Sequence, residues 1–323
     1  MRGRWSVARV VFLGTPEYGV PVLRALAAEH EVLAAVTQPD RPAGRGRGLL
    51  APPVKEAAQA LEIEVLQPRT LRRENATTAR LRALRADVFV LAAYGLILRE
   101  HVLSIPPHGV VGVHASLLPR WRGAAPVAAA ILAGDASTGV TLMQTDAGMD
   151  TGAIIAQRAI PIGPHATAAS LTERLAHLGA GLVVEALPGW LRGEVTPRPQ
   201  DEALATDAPP LTKALGAVDW AHPAEAIDRQ VRAYTPWPGA YTHWRGQPLR
   251  LLAVEPYPDA AVSAALPPDA APGTVVPADD GAAVVTGRGL LLLKEVQAAG
   301  KRPMRAAEFI RGQRGFLGSV LPA

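Results

Sequence analysis

The sequence predicts a doubly wound α/β domain with a mostly parallel sheet, followed by a small β-barrel domain. Three observations predict it. Short β-branched apolar runs alternate with helical patterns through the first half of the chain. A proline-rich, acidic stretch around residue 200 interrupts that rhythm, and short strands bounded by turns fill the remainder. The length, 323 residues, is comfortable for two cores and long for one.

The runs at 10–13, 32–36, 88–92, 110–113 and 140–143 are valine-rich and continuous rather than alternating, as strands covered on both faces should be. Helical patterns lie between them, at 20–28 and 79–84 among others. A β-α-β rhythm implies parallel strands. Such sheets bind ligands beyond the carboxyl ends of strands, where the strand order reverses. A long helical stretch at 168–187 completes the first domain, assigned to residues 1–195. Residues 196–212 read as a linker, because Pro197, Pro199, Pro209 and Pro210 fall there with Asp201, Glu202 and Asp207. The second domain, 213–323, opens on a helix at 224–233 and ends on one at 306–311. Strands are expected between them at 240–244, 248–254, 273–276, 282–286 and 290–296, a number and length that suit a small barrel. Residues 258–272, rich in alanine, proline and aspartate, read as a surface loop.

Composition narrows the function classes. Hydrophobic residues make up 49% and charged ones 19%, a globular balance. The absence of cysteine excludes disulfides, thiolate metal sites and covalent thiol chemistry, and suits a reducing compartment. No apolar run reaches the ~20 residues of a membrane span, and the first ten residues carry arginines without the apolar core of a signal peptide. The expectation is a soluble, cytoplasmic chain with no membrane contact. The net charge of +4 is modest, so its placement matters more. Lys301, Arg302, Arg305, Arg311 and Arg314 stand against Glu308 alone, and Arg41, Arg45 and Arg47 against Asp40. Two basic islands on a near-neutral chain fit a polyanion touched at two places, or simply two solvated faces.

Four features could carry chemistry. Gly14-Thr15-Pro16-Glu17-Tyr18-Gly19 follows the first strand and opens a helix, but lacks both the Gly-Lys-Ser/Thr of a P-loop and the middle glycine of a dinucleotide fingerprint. It reads as a tight turn, with anion binding at the helix start the other possibility. His114 ends an apolar strand and leads into a proline-bounded loop, Ser116-Leu117-Leu118-Pro119-Arg120-Trp121-Arg122-Gly123. A further strand, from Gly139, runs into a glycine-studded turn that ends on Asp150-Thr151-Gly152. Brought together across adjacent strands, His114 and Asp150 would form the imidazole–carboxylate pair used to hold a proton-transfer histidine. None of the eight histidines has the spacing of a metal site, so no metal is expected.

His114-x-Ser-Leu-Leu-Pro together with Asp150-Thr-Gly resembles the signature of the folate-dependent formyltransferases. Three more segments resemble the tRNA-acting branch of that family: residues 37–47 its inserted tRNA-contacting loop, 116–126 its extended active-site motif, and Gly300-Lys301-Arg302-Pro303-Met304 the end of its C-terminal, OB-like barrel. The likeness covers nearly the whole chain. It implies a Rossmann-like catalytic domain and a formyl donor, 10-formyltetrahydrofolate, with its pterin against Leu91, Tyr94 and Gly95. Ser116, Leu117, Leu118 and Pro119 would complete the folate site. It also implies His114 as the proton-handling residue, Asp150 as the group orienting it, and initiator methionyl-tRNA as the acceptor. Contacts to that tRNA would come from Arg41, Arg45, Arg47, Lys301, Arg302 and Arg305. A monomer is expected.

The chain departs from the resemblance at one position. Where the family pattern reads Asn-x-His, this sequence has Gly112-Val113-His114. The asparagine's implied task is to hydrogen-bond the oxyanion of the tetrahedral intermediate, and glycine has no side chain for it. A water or a backbone N–H could take over, or the chain could bind tRNA without turning over. A sugar-nucleotide formyltransferase is the remaining alternative, and the two basic islands speak against it, since a small nucleotide needs neither.

Overall fold

The computed structural model describes residues 7–43, 48–257, 270–278 and 281–322. Arg45 and Arg47, and most of the surface loop expected at 258–272, lie outside the described residues. The strands, in chain order, are β1 (Arg9–Gly14), β2 (Glu31–Val36), β3 (Arg41–Ala43), β4 (Gly48–Leu50), β5 (Glu64–Leu66), β6 (Val88–Ala92), β7 (Val110–His114), β8 (Arg122–Gly123), β9 (Ser137–Gln144), β10 (Ile154–Pro161), β11 (Asp207–Ala208), β12 (Ala240–Trp244), β13 (Gln247–Pro256), β14 (Val275–Ala278), β15 (Gly281–Val285), β16 (Leu290–Ala298) and β17 (Met304–Arg305). The helices are α1 (Gly19–Glu29), α2 (Pro53–Ala60), α3 (Ala76–Leu84), α4 (Glu100–Leu103), α5 (Pro126–Ala133), α6 (Ala168–Leu191), α7 (Ala224–Ala233) and α8 (Ala306–Gly312).

By packing, the chain divides into two compact units. The first comprises Met1–Pro126, Ser137–Pro161 and Leu171–Ala208; the second comprises Val127–Ala136, Ile162–Ser170 and Pro209–Ala323. In the first, seven strands form one sheet in the order β10-β9-β7-β6-β1-β2-β5. From β5 to β7 neighbours run parallel, while β9 and β10 are antiparallel. The continuous apolar runs read from the sequence are its central strands. Val10–Leu13 of β1 and Val88–Val90 of β6 are fully buried, because helices cover both faces of such a sheet.

The chain leaves β1 toward β2 and β5, then returns to β6 on the other side, so strand order reverses at β1 and β6. The loops at that edge are tied together. Thr15 Oγ1 and Gln38 Nε2 both donate to the Tyr94 carbonyl, at 2.9 and 3.0 Å. Gly14 permits the approach, since a Cβ there would sit 2.9 Å from the Ala92 carbonyl oxygen. The Gly14–Gly19 segment is therefore a close-packed turn first of all.

Some elements escape the sequence reading. β10 is an antiparallel edge strand whose residues are mostly half-buried, and Ile-Ile-Ala-Gln-Arg-Ala-Ile-Pro neither alternates nor stays apolar. The three-residue β5 is too short to show a period. The flanks of the basic segment, read from the sequence as loop, pair as the short β3–β4 hairpin. Residues 196–208, read as part of a linker, pack within the first unit, and β11 pairs with β8.

The second unit is a small antiparallel, barrel-like β domain in the order β12-β13-β16-β15-β14, with β17 paired to β16. Its core gathers Trp220, Leu249, Leu251, Val284, Leu291 and Val296 under Ile227 and Val231 of α7. Trp244, Phe309 and Phe316 stack edge to face, with centroids 5.1–5.8 Å apart, the arrangement the ring quadrupoles favour.

Candidate active site

β7 delivers His114 to the carboxyl edge of the sheet, one strand from the end of β6. All five β7 residues are buried, and His114 is 8% exposed. Its ring lies between two oxygens. Nε2 is 2.9 Å from the Trp121 carbonyl, and because a carbonyl only accepts, Nε2 carries a hydrogen in this arrangement. Nδ1 stands 3.5 Å from Asp150 Oδ2, longer than a good hydrogen bond but close enough for electrostatic pairing.

Asp150 reaches the histidine from the turn after β9, not from the strand itself. It occupies the left-handed region with φ +56°, a conformation in which aspartate is several-fold enriched. Its Oδ2 also accepts from the Gly123 N–H at 2.9 Å. Gly152 allows the turn to close, since a Cβ there would fall 1.7 Å from the Gln144 carbonyl oxygen.

The stretch expected to be linker holds this turn in place. Gln200 Nε2 donates to the carbonyls of Asp150 and Gly152, both at 2.8 Å. Gln200 Oε1 accepts from Arg122 Nε and Nη2 at 3.0 and 2.8 Å, and Arg122 also pairs with both oxygens of Glu202 at 2.9 and 2.7 Å. These bonds hold the Glu202 carboxyl below the usual glutamate range. Thr206 Oγ1 accepts from the Trp121 N–H at 2.9 Å. The roles of Arg122, Gln200 and Thr206 are not readable from the sequence, because their partners lie about 80 residues away along the chain. The polar side chains inside an otherwise proline-rich stretch are the available signal.

The loop after β7 is held by equally specific bonds. Ser116 Oγ donates to the Arg120 carbonyl at 2.6 Å, and Ser116 is fully buried. Thr141 Oγ1 donates to the Ser116 carbonyl at 2.7 Å and accepts from Leu118 N–H and Gln157 Nε2 at 3.0 and 2.9 Å. Leu118, 3% exposed, packs with Met143 and Ile154, and the Leu118–Pro119 bond is cis. Leu117 and Pro119 are half-exposed.

Leu91, Tyr94 and Gly95 come to the same sheet edge at and beyond the end of β6. The Tyr94 ring is buried, its hydroxyl has no partner, and burial pushes that hydroxyl's pKa upward. Arg41 is exposed in β3 and donates to Gln38 Oε1. Lys301 and Arg302 are exposed at the tip between β16 and β17, and Arg305, also exposed, stands opposite Glu295 in that ladder. No group of three or more His, Asp or Glu side chains among the described residues is placed to hold a metal ion. Among those residues no helix is long and apolar enough to cross a membrane.

A family model described as formyl transferase matches residues 8–187, and one described as formyl transferase, C-terminal domain, matches residues 210–314. The methionyl-tRNA formyltransferase of Roseiflexus sp. is 52% identical over 308 residues, covering 95% of this chain and 93% of the relative. That of Thiobacillus denitrificans is 48% identical over 317 residues, covering 98% and 100%. HypX from Aquifex aeolicus, solved in complex with tetrahydrofolic acid, matches with a TM-score of 0.63 at 20% identity, over 98% of this chain and 48% of that one. The sugar 3N-formyl transferase WlaRD gives 0.64 at 14% identity, over 92% and 99%. The two structural likenesses are of fold alone. Matched by both family models and by relatives near half identity along almost its full length, the chain belongs to the formyl transferase family.

Proposed function

We propose that this protein transfers the formyl group of 10-formyltetrahydrofolate to the α-amino group of initiator methionyl-tRNA, giving N-formylmethionyl-tRNA for translation initiation. The observation that carries the chemistry is the His114–Asp150 pair at the carboxyl edge of the sheet. The substrate class follows from relatives that are methionyl-tRNA formyltransferases over the same length.

The reaction needs a proton acceptor, a proton donor and stabilisation of negative charge on oxygen. The α-amine nitrogen attacks the formyl carbon, a C–N bond forms, and the carbonyl electron pair moves to oxygen. His114 gives its Nε2 proton to the folate nitrogen as the bond from that nitrogen to the formyl carbon breaks, and the proton shed by the attacking amine then restores it. Nε2 is the atom for this exchange, because it carries the hydrogen while Nδ1 faces Asp150. Asp150 keeps the ring in orientation, and Gln200 keeps Asp150 in its turn.

The folate donor is assigned to Leu91, Tyr94, Gly95 and the 116–119 loop. Tyr94 would act through its backbone, since its ring is buried, and Ser116 and Leu118 would act by shaping the loop, since both are spent internally. Leu91, Leu117 and Pro119 keep partly exposed apolar surface for a flat ring. Arg41, Arg45, Arg47, Lys301, Arg302 and Arg305 are assigned to tRNA phosphates. We read the protein as a cytoplasmic monomer.

The test offers two acceptors together, charged initiator tRNA and an amino-sugar nucleotide, with 10-formyltetrahydrofolate as donor. Alkaline release of N-formylmethionine from the tRNA is the expected result. Formylation of the sugar alone, or of neither, would overturn the reading.

A further inference from the structure

Formyl transfer also requires a donor that stabilises the oxyanion. In an antiparallel ladder, residues opposite each other present side chains to the same face. Gly112 pairs with Met143 and His114 with Thr141, so positions 112 and 114 share a face with 141, 143 and 145. The Thr145 N–H donates to the Val110 carbonyl at 2.7 Å, which carries the register one residue past the end of β9.

Two hydroxyls therefore lie on the face that holds the catalytic histidine, and they differ. Thr141 Oγ1 is saturated by Ser116, Leu118 and Gln157. Thr145 Oγ1 is buried and has no hydrogen-bond partner. Leaving a buried hydroxyl unmet is costly, so its retention calls for an explanation. Its position supplies one. A Cβ built on Gly112 would lie 2.9 Å from Thr145 Oγ1, with Met143 Cε at 3.1 Å and Cγ at 3.3 Å. The hydroxyl thus stands over Gly112, in space that any side chain at 112 would enter.

We propose that Thr145 is the oxyanion donor of this enzyme. This rests on the formyl-transfer reading. The oxyanion and the leaving nitrogen share one carbon, so the groups serving them must stand close together. Alternate strand residues are about 6.6 Å apart, and each donor needs about 2.7–3.1 Å to its acceptor. A hydroxyl over position 112 and an imidazole at 114 meet that requirement. When the carbonyl pair moves to oxygen, Thr145 O–H donates to it. When the bond to the folate nitrogen breaks, the pair returns to form the new amide carbonyl and the hydrogen bond relaxes, so Thr145 loses no proton.

Four variants and the wild type test the proposal, by single-turnover formylation of methionyl-tRNA and by folate affinity. Thr145→Val keeps the shape and removes the hydroxyl, and should lower the rate by about 10²–10³ with folate affinity and melting temperature little changed. Thr145→Ser keeps a hydroxyl and should recover much of that loss. Gly112→Asn/Thr145→Ala clears the crowding and brings in an amide donor, so it should be faster than Thr145→Ala alone. A folded Thr145→Val with the wild-type rate, or a Thr145→Ser as slow as Thr145→Val, would overturn the assignment and leave the formyl-transfer reading standing. Absence of formylation by the wild type would overturn both.

Discussion

Replacing Asp150 with asparagine leaves an oxygen to accept the Gly123 N–H, so the turn after β9 should survive while the charge facing His114 Nδ1 is lost. We expect turnover to fall by about 10²–10⁴, the usual worth of a positioned acid–base group, with folate affinity nearly unchanged. Pre-steady-state formylation and a folate titration of the same preparation check it. Near-wild-type turnover would remove Asp150 from the chemistry and reduce it to a turn residue. His114 and Asp150 are legible in the sequence because each stands at or beyond the end of an apolar strand and opens a distinctive motif. Thr145 is not legible. A threonine after a strand has no pattern of its own, and its meaning comes from the place of its hydroxyl over Gly112, which only the β7–β9 register reveals.

At the scale of elements, the site is a clasp of three loops, of which two are readable as motifs. The third reads as linker, since prolines and acidic residues signal an exposed connection whether or not the chain docks. What docks it is polar: Gln200 bridges two carbonyls of the Asp150 turn to the Arg122 guanidinium. Gln200→Ala would strand those carbonyls and part of a nearly buried arginine, costing about 1–3 kcal/mol. Denaturant titration should show that loss, and turnover should fall with it because the Asp150 turn loosens. Glu202→Gln should do far less at neutral pH, since its carboxylate is 74% exposed and solvent screens it. Its signature lies in acid. A carboxyl held below its unfolded value contributes stability present above that value and lost as pH falls through the folded one. Melting temperatures from neutral pH down through about pH 4 should therefore decline less steeply in Glu202→Gln than in the wild type. The central strands are legible for the opposite reason to the clasp. Val10–Leu13 and Val88–Val90 are buried on both faces, so burial wrote their pattern directly into composition, whereas β10 at the sheet edge answers to no such constraint.

For the whole molecule the question is what the two basic islands do, one beside β3 and β4 and the other at the tip between β16 and β17. Among the described residues Arg41 bonds Gln38, while the neighbouring Asp40 is already engaged by Lys55 and Gln67. A guanidinium matches phosphate geometry well, and each phosphate neutralised releases counterions, which makes affinity fall with salt. Replacing Arg41, Arg45 and Arg47 with alanine should weaken methionyl-tRNA binding and flatten that dependence, by up to roughly 0.7–0.9 in the log–log slope for each phosphate no longer neutralised. Lys301, Arg302 and Arg305 replaced together should act in the same direction and more weakly. Folate affinity should hold in both, because the residues assigned to folate lie at or after the ends of β6 and β7 and carry none of these charges. The measurement is tRNA affinity across a salt series for the wild type and both triple variants. An unchanged slope in the first variant would take the β3–β4 island out of the interface, and unchanged slopes in both would favour the small-nucleotide acceptor, for which neither island is needed.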